Sequence, residues 1–191
     1  MTTQLEEAFA TYFEEIERCK AAQCYWSLLH LLVILPDICA ALESDDGETN
    51  DGRYRHWCKR YFGPDKDLTP EDRYAVRCGL LHQGRTVTDR GRYGSYSFVQ
   101  PTPTGCIFHR IVHDFGPEHK PNFTLDVSRM AVETVQAIRS WFADLQTAQN
   151  APRLQNVKQH VRWLAREGEK IMPGISGIIV QTTSSTGGFS S

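Results

Sequence analysis

The chain has 191 residues, 40% of them hydrophobic and 23% charged, values that exclude wholesale disorder and suit one domain with an elaboration or a short tail. Its net charge of −2 hides an uneven layout: residues 1–52 carry 2 basic and 11 acidic side chains, residues 53–92 carry 10 and 5, and residues 93–191 carry 9 and 7. A phosphate-bearing partner therefore belongs at the middle of the chain.

The N-terminal MTTQLEEAF is acidic and amphipathic, the wrong chemistry for a signal or transit peptide. Leu5, Phe9, Tyr12, Phe13 and Ile16 then recur at helical spacing among glutamates, which predicts a helix with an acidic outer face. Cys24 to Leu42 is apolar on nearly all sides and reads as the central buried helix of a bundle, with Pro36 as a site for a kink. No apolar run is expected to reach the roughly 18 residues that cross a bilayer, so no membrane partner is predicted. Six scattered cysteines (Cys19, Cys24, Cys39, Cys58, Cys78, Cys106) without a secretory signal read as reduced, and the expected location is cytoplasmic.

Glu43 to Gly52 is a polar acidic loop whose spacing misses the pattern of an EF-hand. Arg53 to Phe62, RYRHWCKRYF, predicts a short helix in which Trp57, Tyr61 and Phe62 supply core. For Arg53, Arg55 and Lys59 two readings stand side by side, contacts to RNA phosphates or a solvated outer face. Leu68 to Arg85 organises the chain: Thr69 is a good N-cap, Pro70 fits the first helical position, Glu71 and Asp72 suit the positive end of the helix dipole, and Gly84 ends the helix. Arg77, His82 and Arg85 gather at the far end.

Past Thr86 the pattern changes. Ser95 to Gln100 and Cys106 to His113 alternate like strands around Pro-Thr-Pro-Thr-Gly, which predicts a β-hairpin inserted near residues 95–113. Cys106 and His109 would face opposite sides of a strand, and His109 and His113 lie too far apart along one face to share a zinc, so neither metal nor cofactor is expected. Asp126 caps a helix to about Gln146 that closes the bundle over residues 1–148. A further helix is expected over 149–172, with Leu154, Val157, Val161 and Leu164 as its stripe, and then a Ser/Thr/Gly-rich tail, 173–191, that is partly disordered. The fold class is all-α in the main.

The run Arg77-Cys78-Gly79-Leu80-Leu81-His82, near a helix C-terminus and after the Trp57-to-Phe62 segment, resembles the arginine-to-histidine signature of HEPN domains. The resemblance implies a HEPN-like helical bundle with the hairpin as an insertion, acting as a homodimer and cutting RNA without a metal. It also implies a setting of bacterial stress, toxin–antitoxin pairing or phage defence, with a protein partner or antitoxin. Catalytic members usually place Asn, Asp or His directly after the arginine, where this chain has Cys78; the alternative is a non-catalytic module that binds RNA, a nucleotide or a protein partner.

The chemistry of the pair agrees with cleavage. A 2′-hydroxyl attack needs proton transfer, which histidine performs with an unperturbed pKa of about 6.5, and a cation for the phosphate, which arginine supplies with a planar fork. Arg73 and Arg85 are further candidate phosphate contacts. Five helical positions turn through about 140°, so Arg77 and His82 do not share a face on an ideal helix, and one histidine does not easily serve as both acid and base. A two-fold pairing of chains eases both difficulties. The dipole alone also attracts Arg and His to a helix C-terminus.

Overall fold

The most apolar stretch forms one helix, α2 (Tyr25–Leu42), which continues through Pro36 and buries Leu28, Leu29, Leu32, Leu35 and Cys39. The computed structural model describes residues 2–101, 107–161, 170–172 and 175–176. Within them α1 (Thr2–Ala21), α3 (Asp51–Tyr61), α4 (Pro70–Gln83), α5 (Val127–Leu145) and α6 (Ala151–His160) all pack on α2. The fold is mainly helical, as the periodicity predicts, and carries a small three-stranded sheet.

By length and composition α2, with a mean hydropathy of 1.7, does reach what a bilayer span requires, contrary to the sequence expectation; 56% of it is buried inside this bundle. Rings from three helices meet beside it. Phe9 of α1 packs edge-on against Trp141 of α5 at 5.8 Å, and Trp141 lies 6.3 Å from Trp57 of α3, so Trp57 is core as expected. The five cysteines among the described residues are free thiols.

The predicted hairpin is corrected. Strands β1 (Ser95–Val99) and β2 (Ile111–His113) do not pair with each other; both flank a third strand, β3 (Asn122–Asp126), in the order β1-β3-β2. β1 runs parallel to β3 with Ser95 opposite Asn122, and β2 runs antiparallel with His113 opposite Asn122. All five residues of β3 are buried, so it takes the central place and leaves β1 and β2 as edges. The expected helix over 149–172 is corrected at its end, where Lys170–Met172 is a strand, and residues 162–169 lie outside the described residues. A 3-10 turn, Ala148–Asn150, leads into α6, which ends at His160, and Lys170–Met172 (β4) pairs antiparallel with Ile175–Ser176 (β5). The tail from 177 onward lies outside the described residues.

Local chemistry sets α4 as the sequence predicts. Thr69 and Asp72 form a reciprocal capping box, and Gly84 closes the far end in the left-handed conformation at φ +59°. Gly79 is required there too: a Cβ on it would stand 2.7 Å from the Arg85 carbonyl oxygen, whose residue donates its N–H back to the Gly79 carbonyl.

Asp72 is fully buried and joins three segments. Its carboxylate accepts from Thr69 N and Oγ1 at 3.0 and 2.7 Å and from the Arg92 backbone N–H at 2.9 Å. Asp72→Ala is therefore expected to lower the unfolding free energy by about 2–4 kcal/mol, by loss of the cap and of charged hydrogen bonds. Urea denaturation checks this, and a loss below about 1 kcal/mol would mean that water replaces the carboxylate at no cost.

Candidate functional site at the end of α4

α2 contains one charged residue, Asp37, and packing against five helices leaves its side chain only 9% exposed. A carboxylate in that position must be paired. α4 supplies the partner: Arg77 Nε donates to Asp37 Oδ2 at 2.6 Å. Burial pushes the Asp37 carboxyl above its ordinary pKa, with the hydrogen bond and charge of Arg77 pulling the other way. Burial also opposes the Arg77 cation, but Asp37 prevails and holds that guanidinium above its ordinary value.

The same guanidinium reaches the histidine. Arg77 Nη1 lies 2.7 Å from His82 Nε2, and because a guanidinium only donates, Nε2 is the bare ring nitrogen and Nδ1 carries the proton. The 140° of helical phase between positions 77 and 82 is bridged by the length of the arginine side chain. His82 is exposed, and Cys78 adds a further side-chain hydrogen bond to the Arg77 guanidinium. The arrangement thus places a histidine with an exposed ring against a cation that Asp37 holds in position. Tyr74 flanks it, with the Arg77 guanidinium 6.0 Å from the ring centre. Cys78 is half-buried.

The five proposed RNA contacts divide. Lys59 and Arg85 are exposed and have no ion-pair partner among the described residues. Arg53 pairs with Asp46 at 2.6 Å, and Arg55 with Asp51 at 2.5 Å and Glu71 at 3.5 Å. These two are neutralised on the surface. Arg73 is internal, 8% exposed, stacked at 3.7 Å over the Phe62 ring and paired with Asp65 at 3.2 Å, so it does not face a phosphate. Asp37 is the residue that sequence reasoning missed, and the signal was there: a lone carboxylate in an otherwise apolar helix.

Among the described residues no three His, Cys, Asp or Glu side chains converge as a metal site. His113 Nε2 lies 3.1 Å from Thr124 Oγ1. His109 receives the Asp126 backbone N–H on Nδ1 at 3.1 Å, which puts its ring proton on Nε2, 3.1 Å from Glu133 Oε1. Cys106 lies outside the described residues. No family model, no curated protein and no solved structure matches this chain.

Beside the Arg77 site a second charge network ties the sheet to the bundle. Arg110 donates to Asp65 Oδ1 at 2.7 Å and to Glu133 Oε1 at 2.9 Å. Burial works against the Asp65 carboxylate, but Arg110, the Leu68 N–H and Arg73 bring its pKa down to about 2. The folded value lies below the unfolded one of about 3.9, so the stabilisation is complete above that value and is lost as pH falls toward about 2. The loss is expected to be on the order of 2 kcal/mol. Asp65→Asn should flatten this acid limb in urea denaturation at stepped pH, whereas an unchanged slope would assign it to other carboxylates.

Proposed function

We propose that this chain is a HEPN-like, metal-independent endoribonuclease that cuts RNA by 2′-hydroxyl attack at a site duplicated across a two-fold homodimer. The observation that supports it is the contact of Arg77 with His82 at the exposed end of α4, with Asp37 holding the guanidinium in place. When RNA binds, Arg77 Nη1 leaves His82 Nε2 for the phosphate and stabilises the charge that develops there, which frees Nε2 to take the proton of the attacking hydroxyl. The departing 5′-oxygen needs an acid, and the second chain's copy of His82, in its protonated imidazolium form, provides one. An uncovered stripe on α2, Trp26 at 56% exposure and Ile34 at 38% with His30 between them, lies on the helix that carries Asp37 and offers a surface for the second copy. Of the five candidate contacts, Lys59 and Arg85 are the two left to guide the RNA strand. A bacterial stress or phage-defence setting, with a cognate antitoxin, belongs to the same proposal, as does a cytoplasmic location.

A second reading keeps the fold as a non-catalytic module that binds RNA, a nucleotide or a protein partner, and Cys78 directly after Arg77 favours it.

The test is incubation of purified protein with mixed-sequence RNA in excess EDTA. Cleavage to cyclic-phosphate ends is expected, with His82→Ala slower by about 10²–10⁴-fold. Truncating Arg77 would strand a buried carboxylate at a cost of about 3–5 kcal/mol, so the informative variant is Arg77→Lys, which keeps the charge and loses the fork. It should fold and cut poorly. No cleavage by wild-type protein, or cleavage unaffected by His82→Ala, sinks the ribonuclease reading.

A further inference from the structure

The turn between α1 and α2 brings two cysteines together. α1 ends in a Schellman motif: the Cys24 N–H donates to the Cys19 carbonyl at 2.8 Å, the Gln23 N–H donates to the Lys20 carbonyl at 3.1 Å, and Gln23 takes the left-handed conformation at φ +56°. This pairing makes Cys19 and Cys24 the two positions whose side chains the motif commonly sets in contact. The 2.8 Å bond also holds their Cα atoms within about 6.7 Å of each other, inside the span of about 4.4–6.8 Å that a disulfide bridges. Both thiols are free in this structure, and each lies within electrostatic reach of the other: burial, Glu15 and then Cys24 push the Cys19 thiol above its ordinary pKa.

The two thiols differ in reach. Cys24 is exposed and stands as the N-cap of α2, whose positive end favours a thiolate, yet its side chain makes no capping bond to that helix; its Sγ donates to the Ala22 carbonyl at 3.6 Å. Cys19 is half-buried behind it. The other described cysteines are less accessible than Cys24: Cys39 and Cys58 are buried, the Cys58 thiol pushed up to about 12 by burial, and Cys78 is half-buried on α4. Among the described residues no three His, Cys, Asp or Glu side chains converge, so the pair stands without the third ligand that a metal centre needs. From the motif and the difference in exposure we propose that Cys19 and Cys24 are a redox-active dithiol whose substrate is a small disulfide such as oxidised glutathione, and which closes to an intrachain disulfide. The Cys24 thiolate attacks one glutathione sulfur, the S–S bond breaks, one glutathione leaves as its thiolate, and a mixed disulfide forms on Cys24. Cys19 then gives up its proton, attacks the Cys24 sulfur and displaces the second glutathione. Two protein thiols are oxidised and one disulfide is reduced to two glutathione thiols, which take up the two protons. The inference goes beyond the cleavage reading and does not depend on it, since the exchange uses neither Arg77 nor His82.

The test treats the native full chain with oxidised glutathione, blocks the remaining thiols with an alkylating agent, and maps the products by tryptic digestion and mass spectrometry. Lys20 lies between the two cysteines, so trypsin separates them unless a disulfide joins the fragments. The expected product is one linked pair of peptides carrying Cys19 and Cys24, without retained glutathione, that reopens when reduced glutathione is added in excess. Cys19→Ser removes the second thiol, so glutathione should then accumulate on Cys24 as a stable adduct. Cys24→Ser should leave Cys19 at least about tenfold slower to take up glutathione than Cys24 is in the Cys19→Ser protein. The mapping on unaltered protein keeps the test valid if either serine variant perturbs folding. The proposal falls if wild-type protein keeps glutathione on Cys24 without bridging, if Cys24 does not react, or if Cys19→Ser accumulates no adduct. A Cys19 that reacts as fast as Cys24 overturns the order of attack.

Discussion

The ion pair between Asp37 and Arg77 is the constraint from which the candidate site follows. Asp37 lies on the helix against which every other described helix packs, and no second cation stands within ion-pair reach of it among the described residues. An unpaired carboxylate there would cost several kcal/mol, so α4 must present Arg77 to α2 at one rotation and one height. That requirement also fixes the guanidinium whose second nitrogen meets His82. The contact on which the proposed cleavage rests is thus obtained from a charge that the core must neutralise. Rigid elements carry it, since α4 is pinned at its start by the Thr69–Asp72 box and at its end by Gly84.

Charge along the chain does not translate directly into charge on the surface. The basic surplus of residues 53–92 is largely consumed by the fold: Arg53 folds back on the acidic loop at Asp46, Arg60 pairs with Asp144, Arg73 with Asp65 and Arg92 with Asp72. The acidic loop before α3 takes up part of the +5 surplus of residues 53–92, and the cations left over, Lys59 and Arg85 among them, are scattered. The cluster that looks most basic in sequence works mainly as internal bracing, which leaves few cations to steer the RNA that the proposed function calls for.

How much was legible depended on whether the cause was local. The ends of α4 were readable because a capping box and a left-handed glycine act within a few residues, and α5 was readable because its stripe keeps the helical period. β3 was not. Asn122-Phe-Thr-Leu-Asp126 is buried throughout, so it shows no alternation, and its last residue is also the N-cap of α5, which makes the segment look like a helix entry. The final helix was carried to 172 on the period of its stripe, and that period does not show that Lys170–Met172 pairs as a strand with Ile175–Ser176. The Arg77–His82 contact defeated the ideal-helix argument for another reason. Phase describes where Cβ atoms point, and an arginine reaches well beyond its Cβ.

Position 77 is therefore constrained twice, and this bears on how the pair should be read. A fold with a carboxylate buried at Asp37 would keep an arginine on α4 with no catalysis at all, so Arg77 by itself is weak support for a reaction. His82 differs. It is exposed, its one hydrogen-bond contact among the described residues is with Arg77, and neither the capping of α4 nor the packing on α2 uses it. A solvent-facing histidine that the fold does not need, held against a guanidinium that the fold does need, is the part of this site that packing leaves unexplained. The functional reading accordingly rests more on His82 than on the arginine that first draws attention to it.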